Sequence, residues 1–293
     1  MKIAIYSRFL KQEHVPILQI VLDNLSKRGA EVFIYEEYYK TFKNRVKTPE
    51  KIHFFSDYNN FKTQNIDFVI TLGGDGTILE VITIVRDTGV PIMGINLGRL
   101  GFLAMVEMNQ IELAIDALYN NSYVLDPRTL LHLESSSPIF GDNKLALNDF
   151  TILKRDTSSM VIIHAYVNGE FLNSYWADGI IVATPTGSTG YSLSCGGPII
   201  FPKSGNLIIT PVAPHNLNVR PIVLSDDSII SFEVEGRAKN FMCTLDSRHA
   251  IIDTSIQLAI QKSDFNINLF RFTDLNFLYM IRKKLKWGID YRN

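Results

Sequence analysis

The run "DFVITLGGDGTILEVITIVRD", from Asp67 to Asp87, changes its period in the middle. Its first half is apolar at consecutive positions, as in a strand buried on both faces. Its second half repeats apolar residues at helical spacing. Between them stand Gly73, Gly74, Asp75 and Gly76, followed by Thr77, a good N-cap residue. A strand, a glycine-rich turn and a helix make the first part of a βαβ unit and predict a parallel sheet.

The same alternation continues outward. "KIAIYS" reads as a short buried strand. "HVPILQIVLDNLSKRGA" reads as a helix closing at Gly29, a residue suited to the left-handed position after a helix. "EVFIYEE" and "PIMGINLG" are further strands, and "QIELAIDALYNN" a further helix. Residues 38–64, "YYKTFKNRVKTPEKIHFFSDYNNFKTQ", are polar, aromatic-rich and without period. They are expected to form a partly helical surface connection, with their lysines on a solvated face.

Past Tyr123 the pattern changes to short strands broken by Gly, Asn, Asp and Pro, such as "LALNDFTILKR", "PIVLSDDSIISFEVEG" and "NFMCTLDSRHAIID". "VNGEF", from Val167 to Phe171, carries the Asn-Gly signal of a tight hairpin. Such a series predicts an all-β, sandwich-like domain. The closing "DLNFLYMIRKKLKW" is helical and basic, and its apolar stripe is expected to pack back on the first domain. The expected organisation is an α/β domain with a parallel sheet over residues 1–123, a β-sandwich over 124–268, and a returning helix over 269–293.

Composition narrows the function classes. The net charge of −1 gives no basic excess for a nucleic-acid or membrane-surface partner. No apolar run approaches the roughly 20 residues that span a bilayer. Cys195 and Cys243 are too few for a disulfide framework, so reduced thiols and a cytoplasmic protein are expected. His14, His53, His132, His164, His215 and His249 show no metal-like spacing, and no protein metal ligand is assigned.

The chemistry lies in three glycine-rich segments, each following a strand. Open α/β sheets bind ligands at the carboxyl ends of their strands, where Gly73 to Gly76 fall. Bare glycines admit a phosphate or ribose, and the helix dipole favours an anion. Asp75 could accept a hydroxyl proton or help hold a magnesium ion bridging phosphates. The bland alternative is a turn residue bonding its own backbone. The second segment, "WADGIIVATPTGSTGYSLSCGGPIIFP", offers hydroxyls, backbone amides and a tyrosine that could stack on a base. The third, "INLGRLGFLA", places Arg99 within reach of a phosphate. Together they suit a nucleotide cleft and phosphoryl transfer.

At this combination the sequence resembles the NAD kinase family. "LGGDGT" looks like its Gly-Gly-Asp-Gly motif, a motif shared with diacylglycerol and sphingosine kinases. "NLGRLGFL", "DGIIVATPTGSTGYSLSCGGP", "ITPVAPHNLNVRPIVL" and the ending "KLKWGIDYR" are similar to further family stretches. The resemblance implies transfer of the ATP γ-phosphate to the 2′-hydroxyl of NAD's adenosine ribose, with Mg2+ arriving on ATP, in a homodimer or homotetramer. It implies Asp75 as the base, with Gly74 and Gly76 beside the dinucleotide. Asn148 and Asp149 match an Asn-Glu pair that binds NAD, the shorter Asp149 departing from it. Asp178 matches a dinucleotide-contacting aspartate. Thr186, Thr189, Gly190, Tyr191, Ser192 and Ser194 fall in the loop that wraps the substrate, Gly190 standing where many members have alanine. Arg248 stands where some members have glutamine and could pair with a phosphate.

Rival readings are a diacylglycerol-type lipid kinase, which needs an apolar slot in place of the hydroxyl-rich loop, and a sugar kinase, which would stay α/β throughout. A non-catalytic nucleotide-binding module is the third. It has no need of a carboxylate at position 75.

Overall fold

The computed structural model describes residues 1–155, 160–236 and 240–288. Two compact units divide the chain: Met1–Pro127 together with Ile267–Asn293, and Arg128–Asn266. Their limits lie at 127 and 266, against the expected 123 and 268. Residues 289–292 of the "KLKWGIDYR" ending lie outside the described residues.

The first unit alternates strands and helices: β1 (Lys2–Tyr6), α1 (Val15–Lys27), β2 (Glu31–Tyr35), α2 (Glu36–Lys40), β3 (Ile52–Phe55), α3 (Tyr58–Thr63), β4 (Phe68–Gly73), α4 (Asp75–Val85), β5 (Ile92–Asn96), β6 (Val106–Glu107) and α5 (Ile111–Tyr119). The strands pair in parallel in the order β3-β2-β1-β4-β5. Chain order therefore reverses between β1 and β4, which makes their carboxyl ends the topological switch point of the sheet. Helix α1 buries Leu18, Val21, Leu22 and Leu25, the i, i+3, i+4, i+7 stripe, and ends as expected at Gly29 with φ +65°. Helix α4 buries Ile78, Val81, Ile82 and Val85.

Residues 38–64 differ from expectation. They contain an edge strand, β3, parallel to β2, and four of their aromatic residues, Tyr38, Phe42, Phe55 and Phe61, are buried. Rings pack on rings there, with Phe55 and Phe61 centroids 5.4 Å apart at 70°. An aromatic cluster needs no regular period, because each ring covers the area of two or three aliphatic neighbours.

The second unit is antiparallel. It begins on β7 (Val124–Ser135) and β8 (Leu145–Ala146), then runs β9 (Asp149–Lys154), β10 (Val161–Val167), β11 (Glu170–Ala177), β12 (Gly179–Ala183), the short helix α6 (Tyr191–Ser194), β13 (Asn206–Val212), β14 (Ile222–Ser225), β15 (Ile230–Gly236), β16 (Phe241–Leu245) and β17 (Arg248–Ile252). The strand β18 (Leu258–Arg271) then leads back into the first unit, where helix α7 (Phe277–Leu285) follows. One sheet has the order β14-β13-β12-β9-β16-β17. A second joins β11, β10, β15 and β18. Phe150, Ile152, Ile180 and Val182 of the first sheet share a core with Ile163, Phe232, Val234 and Ile260 of the second, so the unit is a sandwich. The β10–β11 hairpin turns on Asn168 and Gly169, at φ +52° and +84°. Two positive values are what the Asn-Gly pair predicts.

Candidate active site

The turn after β4 starts helix α4 at Asp75, with Gly74 rather than Thr77 in the N-cap position. Thr77 is held back instead: its side chain fills the space where a β-carbon on Gly73 would stand. Gly74 and Gly76 are different. Nothing lies within 4 Å of a β-carbon built on either, and neither has a positive φ. Neither packing nor backbone conformation demands glycine at these two positions, and the space beside both is open.

Asp75 does not bond its own turn. Its carboxylate accepts the backbone N–H of Phe102 (2.8 Å), Leu103 (3.0 Å) and Ala104 (3.0 Å). Gly101 precedes them and has no space for a side chain, because a β-carbon would strike the Asp75 carboxylate. The "GRLGFLA" stretch thus folds as a cradle for Asp75. Three of about four lone-pair sites on the carboxylate are filled, which leaves one open.

Beside this turn, in the same unit, lies a cavity of about 270 Å³. It is lined by the loop after β1 (Ser7, Arg8, Phe9, Lys11, His14), by Gly73, Gly74 and Thr77, and by Asn96 to Arg99 after β5. Three strand ends meet there, at the switch point. The Ser7 hydroxyl donates to the Leu72 carbonyl (2.5 Å) and ties the end of β1 to that of β4. Asn96 holds the third loop, accepting from Gly98 N and donating to Arg99 O. Arg8, which pairs with Glu80 of α4, lines the cavity with Lys11 and Arg99. Glycine amides, a helix N-terminus and three cations form a setting for a polyanion.

Ten further predicted residues belong to the second unit. Asp246, in the β16–β17 turn, accepts the backbone N–H of Leu147, Asn148 and Asp149 (2.8, 2.8 and 3.2 Å). The segment carrying Asn148 and Asp149 is thereby fixed. Thr184 seals its other side, donating its hydroxyl to Leu147 O (2.5 Å) and its N–H to Asn148 O (2.9 Å). Gly187 lies so close to the Asn148 backbone that no β-carbon fits. A β-carbon on Gly190 would stand 3.8 Å from both Asn148 Nδ2 and Asp149 Oδ2 and 3.3 Å from Gly187 O, which brings these residues together.

Burial and the nearby Asp246 charge push the Asp149 carboxyl up to about 7. Asp246 is also raised by burial, against its three amide bonds. Tyr191 and Cys195 next to them are both held neutral, chiefly by burial.

Much of the hydroxyl content of the loop is engaged within the fold. Thr186 accepts from Arg128 (3.3 Å), Thr189 donates to Thr186 O (3.1 Å), and the fully buried Ser192 bonds Thr210 (2.8 Å). Tyr191 and Ser194 are exposed. Asp178 pairs with Lys154 Nζ at 2.6 Å. The Arg248 guanidinium donates to the carbonyls of Asn143 (2.5 Å) and Leu145 and stacks 5.8 Å from the Phe140 ring. Sequence reasoning passed over Arg8, Lys11, Gly101 and Asp246. The signal for the first two was their place after the first strand of a parallel sheet.

Comparison with known proteins agrees over the whole length. The ATP-NAD kinase N-terminal domain model matches residues 3–123 and the ATP-NAD kinase C-terminal domain model matches residues 147–272. The NAD kinase of Cytophaga hutchinsonii is 46% identical over 293 residues, with 99% of each chain covered. That of Flavobacterium psychrophilum is 42% identical, with 100% of each covered. Yeast NADH kinase complexed with NADH has the same fold, with a TM-score of 0.88 at 22% identity over 100% of this chain and 89% of that one. An NAD kinase from Archaeoglobus fulgidus in complex with ATP gives 0.73 at 26% identity, over 98% and 100%. Matched in both domains and by full-length relatives, the chain belongs to the ATP-NAD kinase family.

Proposed function

We propose that this chain transfers the γ-phosphoryl group of Mg·ATP to the 2′-hydroxyl of the adenosine ribose of NAD, with Asp75 as the base. The observation that carries the reading is the Asp75 carboxylate, held by three backbone amides beside two glycines with open space. Its remaining lone pair takes the hydroxyl proton while the ribose oxygen bonds to the γ-phosphorus. The bond from that phosphorus to the β,γ-bridging oxygen breaks, and ADP leaves. Positioning and charge do most of the work in such a transfer.

The cavity after β1, β4 and β5 is the donor side, with Lys11, Arg8 and Arg99 as partners of the phosphates and with Gly74 and Gly76 admitting ribose and phosphate. Magnesium enters as part of the nucleotide substrate. The NAD side is Asn148, Asp149, Asp178, Thr186, Thr189, Gly190, Tyr191 and Ser194. Tyr191 is the exposed ring available for stacking. Ser192 supports the loop through Thr210, and Arg248 supports the segment before Asn148. A cytoplasmic homodimer or homotetramer is the expected form.

The test is NADP formation by the purified protein with NAD and Mg·ATP, beside Asp75→Asn. The wild type is expected to form NADP, and Asp75→Asn to lose about 10²–10⁴-fold in kcat, the range for a general base. NAD affinity and the melting curve of the variant are measured alongside. A folded, NAD-binding wild type that makes no NADP would sink the kinase reading; a fully active Asp75→Asn would sink the role of Asp75.

A further inference from the structure

The amides that hold Asp75 sit in an irregular segment between β5 and β6, and something must keep that segment in place. Its beginning is tied to the sheet by Leu97 N donating to Gly73 O (3.2 Å) and by the Asn96 side chain. Its end is the short pairing of β6 with β5 at Val106 and Glu107. Two further ties, one between these anchors and one on the second of them, come from α7, which lies more than 170 residues further along the chain. Lys284 Nζ donates to the carbonyl of Leu100, two residues before the first amide that Asp75 accepts. Lys283 Nζ pairs with Glu107, at 2.5 Å, three residues after the last one.

Helix α7 is itself fixed. Asn276 caps its first turn by accepting Tyr279 N (2.9 Å), and Met280 and Ile281 are buried. Its last turn carries Arg282, Lys283 and Lys284, where cations complement the helix dipole. Lys284 itself is exposed, so holding it on a carbonyl costs side-chain entropy that a solvated lysine would keep.

We infer that Lys284 is a positioning residue for phosphoryl transfer: by holding the Leu100 carbonyl, it fixes the segment whose amides orient the Asp75 carboxylate, with Lys283–Glu107 as the second tie. The inference rests on the reading of Asp75 as the base. A displacement of about 1 Å at such a group costs up to roughly 10²-fold in rate. Losing one of several ties moves it less.

The test compares Lys284→Met, which keeps the chain length and removes the donor, with Lys284→Arg, which keeps a donor. Both are assayed beside Asp75→Asn. Lys284→Met is expected to lower kcat about three- to tenfold with KM for NAD and for ATP within about twofold, the pattern of an interaction expressed in the transition state. Its melting temperature stays within a few degrees of the wild type, and Lys284→Arg recovers most of the loss. A wild-type kcat in Lys284→Met, with Asp75→Asn inactive, overturns this inference and leaves the base reading standing. A parallel fall of kcat, affinity and melting temperature without recovery in Lys284→Arg makes Lys284 merely structural, and also overturns it. A fully active Asp75→Asn removes the base reading and the inference with it.

Discussion

Asp149 is a carboxyl that the fold keeps from ionising at mildly acidic pH. Its carboxyl is buried beside Asp246 and is pushed up to about 7, far above an ordinary carboxylate, because burial and the neighbouring charge both disfavour ionisation. Between about pH 4 and about pH 7 the folded chain therefore keeps a proton that the unfolded chain has released, so stability falls as pH rises through that window. Asp149→Asn removes this titration. Urea midpoints at about pH 5 and pH 8 should differ less in the variant than in the wild type, by about 1–4 kcal/mol in unfolding free energy. Asp246 shifts in the same direction, so part of the slope persists. Equal slopes in the two proteins would show that Asp149 is solvated and already charged at pH 5. A neutral Asp149 can also donate a hydrogen bond, which a carboxylate cannot.

Elements were legible where their pattern is local. The helices α1, α4 and α5, the strands β1, β2, β4 and β5, and the Asn168–Gly169 hairpin all follow from period and turn chemistry within a dozen residues. Strand β3 did not, because an edge strand packed through rings carries no alternation. There the exposed His53 and Phe54 stand beside the buried Phe55. Phe61→Ala tests whether those rings are core: it should cost about 3–5 kcal/mol, read from denaturant midpoints. A cost under about 0.5 kcal/mol, the usual surface value, would return the segment to the surface connection its sequence suggests. The site divides in the same way. The glycine–aspartate turn announces itself in six consecutive residues, but what Asp75 bonds lies 27 to 29 positions later. Arg8 and Lys11 acquire meaning only once β4 is placed beside β1, which no short window contains. The hydroxyls of the long loop were visible as hydroxyls. Their partners, Leu147 O for Thr184 and Thr210 for Ser192, depend on the sandwich being built.

At the scale of the molecule, the first unit is discontinuous: its core includes Phe270 and Phe272, and β5 pairs with Leu269, all after the chain has passed through the second unit. Leu269, Phe270 and Phe272 are 1%, 2% and 8% exposed. Burying each stabilises by roughly 1.5–3 kcal/mol, so together they approach the whole stability of a domain, about 5–15 kcal/mol. A chain ended after Asn266 should therefore lack a cooperative melt for its first unit and should form no NADP. A chain ended after Thr273 keeps Leu269, Phe270 and Phe272 and loses α7 together with Leu275, which packs against the same core, and the residues after the helix. It is expected to melt cooperatively at a lower temperature and to lose at least the three- to tenfold in kcat assigned to Lys284, because both lysine ties go together. The two truncations separate what the returning strand does for the fold from what the helix does for the rate. A chain ended after Asn266 that melts and turns over like the wild type would contradict the discontinuous core. A chain ended after Thr273 with undiminished kcat would leave the strand its role and deny one to the helix.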